Sequence, residues 1–177
     1  MKRIACLSGL ILALSLSAFT AAYLTAWQVK EADYDIKFST KGASGTLTGL
    51  KGTINFDTAD LANSRFDVTV DVNTINTGLG LKNKHAKAEN FLDAEKYPTI
   101  RFASSTITPS SDGFVATGML TIKDVSREVT IPFTFDDKGD EGVFRGAFEL
   151  NRKDYNLEKN RIGEIIQVEL VVPVNKL

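Results

Sequence analysis

From Trp27 onward the chain alternates apolar and polar residues in short runs separated by turn residues, and a period of two predicts strands. The clearest run sets Phe66, Val68, Val70 and Val72 on one side and Arg65, Asp67, Thr69 and Asp71 on the other. That is a strand with one dry and one wet face. Eight runs of this kind are read, over 27–38, 47–56, 65–72, 100–107, 114–122, 127–135, 143–150 and 165–172. Gly42, Gly45, Gly49 and Gly52 are spaced through the second and its approach, which predicts a sharply coiled strand there. Asp112-Gly113 and the acidic stretch around Lys138-Gly139 read as hairpin turns.

One stretch, 81–102, breaks the alternation. Its first half is rich in Lys, Ala and Glu and carries the sole histidine, His85. Phe91 and Leu92 supply an apolar foot, and Pro98 stops any helix before alternation resumes at Ile100. A helical turn or two across an otherwise all-β chain is a candidate lid or plug. Eight antiparallel strands joined by short turns close most economically into an up-and-down barrel, because closure removes exposed edges. The predicted fold is therefore an all-β, eight-stranded antiparallel barrel with a short helical segment between strands three and four. A barrel of that size holds either its own side chains or one small ligand.

Before the strands, Lys2 and Arg3 precede an uncharged run that lasts until Lys30. Residues 1–26 read as a signal peptide or an N-terminal membrane anchor, and both readings place 27–177, a single domain, across the membrane. Cys6 is the only cysteine, so the domain has neither disulfide nor thiol and depends on its core. Mixed, nearly balanced charge (net −1) argues against a nucleic-acid partner.

Candidate chemistry is sparse. No Gly-x-Ser-x-Gly elbow is present, one histidine builds no triad, and no cluster offers transition-metal ligands. No catalytic residue, metal site or cofactor is assigned, and the chain is not read as an enzyme. What stands out is apolar surplus, with eleven phenylalanines of which all but Phe19 lie in the predicted domain. They fill an ordinary core or line a hydrophobic pocket, and residue type alone leaves both open.

Several blocks resemble the YceI-like family of secreted bacterial barrels. Trp27-Gln28-Val29 is similar to the family's opening strand and Gly49 to Asp57 to its second. Lys84-His85, Asn90-Phe91-Leu92-Asp93, Tyr97-Pro98-Thr99-Ile100 and Phe102 follow its central signature. Gly118-Met119-Leu120-Thr121-Ile122-Lys123 and Arg152-Lys153-Asp154-Tyr155 match two later blocks. The resemblance implies a lipocalin-like barrel in the periplasm with an elongated apolar cavity, which in some members holds polyisoprenoid chains or other long lipids. Asp124 and Asn156 stand where the family commonly has glycine; both tolerate left-handed turn geometry.

The functional expectation is an exported binding protein that sequesters or carries a long-chain lipid or isoprenoid. The alternatives are a filled structural or stress-response barrel acting through its surface, and an enzyme on a lipid head group. Alternation offers Phe38, Phe66, Val68, Phe91, Phe102, Leu120, Phe133 and Phe148 as wall residues. His85 either orients a head group at the mouth or is an exposed helix residue. Membrane contact through the N-terminal segment and a homodimer stay open as further partners.

Overall fold

The computed structural model describes residues 25–31, 33–158 and 162–177. The predicted leader, apart from its last two residues, lies outside them. Nine strands are present: β1 (Ala26–Val29), β2 (Asp35–Thr40), β3 (Ala43–Asn55), β4 (Arg65–Asn76), β5 (Thr99–Ser110), β6 (Gly113–Ile122), β7 (Val125–Asp137), β8 (Glu141–Asn151) and β9 (Ile165–Lys176). One helix, α1 (Gly80–Lys87), stands between β4 and β5.

Nine strands form eight staves. Both β1 and β2 lie between β3 and β9, β1 pairing with their C-terminal ends and β2 with their N-terminal parts. The predicted first strand is thus one stave broken in the middle, where Lys30, Glu31 and Asp33 interrupt the alternation and Asp33 N–H donates to Lys30 O at 3.1 Å. From β2 the circuit runs through β9, β8, β7, β6, β5, β4 and β3 and closes through β3–β4, with every pairing antiparallel. The eight-stranded closed barrel expected from the alternation is the fold.

The β3–β4 ladder shifts register twice, between Thr46 and Thr48 and between Thr48 and Lys51. Gly49 at φ 73° and Gly52 at φ 131° make this coiling accessible. At Gly52 a Cβ would lie 2.1 Å from the carbonyl oxygen of Asp67, so the strands meet there only without a side chain. Left-handed backbone also occurs at Asn156 (φ 55°), as its turn chemistry allows. In the β6–β7 turn the left-handed residue is Lys123 (φ 57°) and not Asp124. Pro132 is exposed on β7, beside the last β7–β8 partners, Phe133 and Gly146. Beyond that point β8 leaves β7, so the missing proline donor interrupts no ladder. The 3₁₀ turn Arg152–Tyr155 contacts β7 there, and Arg127 Nε donates to Asp154 O at 3.1 Å.

Strand direction gives the barrel two unlike ends. At one, where β4, β6 and β8 begin, Phe56 is 1% exposed under the rings of Phe66, Phe114, Phe133, Phe135 and Phe144, with centroids 5.1 to 6.0 Å away. Most of these pairs meet edge to face, the geometry that aromatic quadrupoles favour. Trp27 packs on Phe135 at 5.0 Å, and its Nε1 donates to Phe56 O at 2.8 Å. This end is plugged. The opposite end, where β4 and β8 finish, carries α1, the segment 88–98 and residues 152–158.

Candidate ligand cavity

Between the aromatic plug and the opposite end lies a cavity of about 200 Å³. Its wall comes from every stave of the barrel, because inward positions recur every second residue along each strand. Phe66, Phe133 and Phe144 belong to both plug and wall, forming the cavity's floor. Val70, Ile100, Ile122, Leu150 and Val168 carry the wall toward the far end. Only Thr69 and Gly146 in the lining lack an apolar side chain. Phe66, Val68, Val70, Phe148, Val168 and Leu170 point inward yet are half-buried, since part of their surface faces the cavity rather than another side chain.

Apolar cavities of about 150 Å³ stay dry and take up a ligand the size of benzene, because water finds no polar partner there. A space of about 200 Å³ with this lining offers water equally few polar partners. No charged side chain lines it.

Six of the nine residues expected around a ligand line this space: Phe66, Val68, Phe102, Leu120, Phe133 and Phe148. Phe38, Phe91 and His85 lie outside the lining. Phe38 packs half-buried against the core, its ring over Gly45, where a Cβ would come within 2.8 Å of the ring. Phe91 is half-buried against the core and Leu92 fully buried, so the predicted foot sits on the protein body. His85 is exposed on α1, a helix with no buried residue, and α1 contributes nothing to the cavity lining. The candidate lid is therefore not a roof of this space. Missing from the expectation were aliphatic positions such as Ile36, Leu47, Ile100, Val70 and Leu170. Their inward phase is legible in the alternation, whereas ring size singles out the phenylalanines.

Polar groups near the far end hold its loops. The Arg152 side chain, 4% exposed, donates to the carbonyls of Leu157 and of Gly163 (2.9 Å from Nε), tying the segment after β8 to itself. Lys153 pairs with Glu164 across the same segment and holds the Glu164 carboxyl below its usual range. Tyr155 is 2% exposed, and its hydroxyl has no hydrogen-bond partner among the described residues. Burial, reinforced by Asp154, pushes the phenol up to about 12. An unfolded tyrosine ionises near 10, so above about pH 10 the unfolded chain loses this proton first and stability falls until about 12. Tyr155→Phe is expected to remove that component of alkaline destabilisation while changing neutral-pH stability by no more than about 1 kcal/mol. Urea unfolding of both proteins across the alkaline range checks it, and parallel pH profiles would refute it.

The fold and site define a class: a closed antiparallel barrel enclosing an apolar cavity, plugged by aromatic rings at one end. The model of the YceI-like domain matches residues 27–174, and the chain belongs to that family. Among curated relatives, the UPF0312 protein YE1254 of Yersinia enterocolitica is 26% identical over 136 residues, covering 73% of this chain and 71% of that protein. Among solved structures, Burkholderia cenocepacia BcnA superposes with a TM-score of 0.78 at 24% identity, over 82% of this chain and 99% of that one. The YCEI protein of Campylobacter jejuni gives 0.64 at 20% identity, over 98% and 94%. A polyisoprenoid binding domain from Saccharophagus degradans gives 0.64 at 14% identity, over 88% and 100%. These likenesses establish the barrel.

Proposed function

We propose that this protein binds a long-chain apolar molecule, of the polyisoprenoid or related lipid class, and carries or sequesters it outside the cytoplasm. The observation that carries the reading is the cavity, closed by rings at one end and nearly devoid of polar side chains. Membership of the YceI-like family and the fold shared with a polyisoprenoid binding domain support the ligand class. Burying hydrocarbon contributes roughly 25 cal/mol per Å², about 0.8 kcal/mol per methylene, against an association cost of at least about 4 kcal/mol, so affinity grows with the length of chain buried. The absence of charge from the wall favours selection by chain shape, with the head group held toward the far end. Export to the periplasm is supported by the basic-led apolar run over 1–26.

The test is native mass spectrometry of protein recovered from its own host, followed by organic extraction and lipid identification. A stoichiometric long-chain adduct, lost on denaturation and recovered chemically unchanged, is expected. A clean apo mass would overturn the reading and leave a barrel that acts through its surface. The intact mass and the cell fraction also report whether the first 26 residues are removed and where the protein resides.

A further inference from the structure

We propose that the approach to α1 and the helix itself, residues 77–88, form a membrane-docking surface that sets the far end of the barrel on a bilayer containing anionic phospholipid.

Two leucines that do nothing for the fold begin the case. Leu79 is 57% and Leu81 68% exposed, although both belong to an element with a defined place in the barrel. Leu79 occupies the cap position at the helix N-terminus without any side-chain capping bond. Leucine is among the poorest residues there, where Ser, Thr, Asp or Asn would satisfy a backbone donor. The first turn has no acidic residue to answer the helix dipole and α1 buries nothing, so helix stability explains neither leucine. A Cβ added at Gly78 or Gly80 would meet nothing within 4 Å, so the turn stands clear of the rest of the protein.

Charge identifies the occupant. From Asn73 to Ala88 the sequence has no Asp or Glu, while Lys82, Lys84 and Lys87 fall within α1. This basic stretch belongs to a protein whose net charge is −1. Protruding leucines beside clustered lysines are what an interfacial segment uses: the apolar chains enter the acyl boundary while the cations meet anionic head groups. A partner protein with an acidic face would satisfy the lysines but leave the exposed Leu79 and Leu81 without a role.

Position gives the contact a use. Residues 77–88 follow β4 directly, at the end of the barrel opposite the aromatic plug, and Val70 on the same strand lines the cavity. Ile165, 46% exposed, opens β9 at that end as well. A barrel set down on this end presents the end opposite the aromatic plug to the bilayer, from which a long apolar chain would be drawn or to which it would be returned. That use rests on the lipid-binding function proposed above; the contact does not.

Leu81→Trp supplies a local reporter, because the chain's other tryptophan, Trp27, is 4% exposed within the plug. The full protein, as recovered from its host, is mixed with vesicles of phosphatidylcholine alone or of phosphatidylcholine with phosphatidylglycerol. A blue shift of the new tryptophan on the anionic vesicles, weakened by salt, is expected. Measured by vesicle co-sedimentation of the protein without the reporter, reversing one lysine, as in Lys84→Glu, should lower partitioning about fivefold or more, and Leu79→Ser with Leu81→Ser roughly tenfold or more. An unshifted emission with every vesicle overturns the proposal, as does a shift equal on both compositions and indifferent to salt. A shift in oligomeric state on Leu79→Ser with Leu81→Ser, without any vesicle effect, also overturns it in favour of contact between copies. Lipid occupancy by native mass spectrometry on the same preparations keeps the two claims apart. Vesicle contact with an empty barrel refutes carriage alone, and a loaded barrel without contact refutes docking alone.

Discussion

Replacing Val70 and Val168 together by phenylalanine is expected to abolish ligand retention while leaving the barrel folded. The two valines sit on β4 and β9, separated around the barrel by β3 and β2, and both line the cavity. Both are half-buried, so added ring atoms enter empty space rather than occupied space. Filling a cavity restores lost dispersion contacts, and the thermal midpoint should hold or rise by the equivalent of about 1 kcal/mol. A ligand that relied on the space loses it, and a fall in affinity of tenfold or more corresponds to about 1.4 kcal/mol per factor of ten. Val72→Phe is the matched control. That residue is 1% exposed with no cavity beside it, so the same change overpacks the core and costs about 1 to 3 kcal/mol. The readout is lipid bound per barrel by native mass spectrometry, beside urea unfolding. Undiminished occupancy in the double variant would mean that the ligand does not use this cavity.

The contrast between Val70 and Val72 also shows where sequence reading reaches its limit. A period of two sets both on the dry face of the strand, and both point inward. Alternation reports the face of a strand; it has no term for height along the barrel axis, and height decides whether an inward residue meets the plug, the cavity or a loop. The phenylalanines divide in the same way. Phe56, Phe114 and Phe135 fill the plug, Phe102 and Phe148 line the cavity, and Phe66, Phe133 and Phe144 do both. That division depends on the register between strands, set partly by the shifts at Gly49 and Gly52, which the glycine spacing announced without giving their size.

The segment 81–102 was legible as a departure from strand but not in its destination. Low apolar content in α1 predicted exposure as readily as a lid, and the structure has the exposed helix, with Leu92 and Ala94 buried after it. The split stave at residues 30–34 was hidden for a different reason. Apolar side chains lie on both sides of it, at Trp27 and Val29 and at Tyr34, Ile36 and Phe38, and only the slip from odd to even positions and the three charges between them mark the interruption. Closure of the barrel, by contrast, followed from strand number and turn length alone, because a set of eight short antiparallel strands has few other ways to satisfy its edges.

Phe56→Ala is expected to be the most destabilising single change in the protein, by about 3 to 5 kcal/mol. The ring is 1% exposed and meets five other aromatic rings, so truncation removes both transfer energy and edge-to-face contacts. Its surroundings are poorly placed to collapse into the void. Phe56 N–H donates to Thr25 O at 2.9 Å and its carbonyl accepts from Trp27 Nε1, which pins the backbone at the end of β3. Phe56→Leu keeps much of the volume and should cost less than half as much. Equilibrium urea unfolding checks the series, with a lower midpoint and an unchanged slope expected, since the surface exposed on unfolding is nearly the same. Because Phe66, Phe133 and Phe144 form the floor of the cavity as well as the wall around Phe56, ligand retention should weaken in the alanine variant even where it stays folded. A loss below about 1 kcal/mol would show that the rings relax into the space. The plug would then be a soft packing of interchangeable rings, and the floor of the cavity would deform to suit the chain it holds.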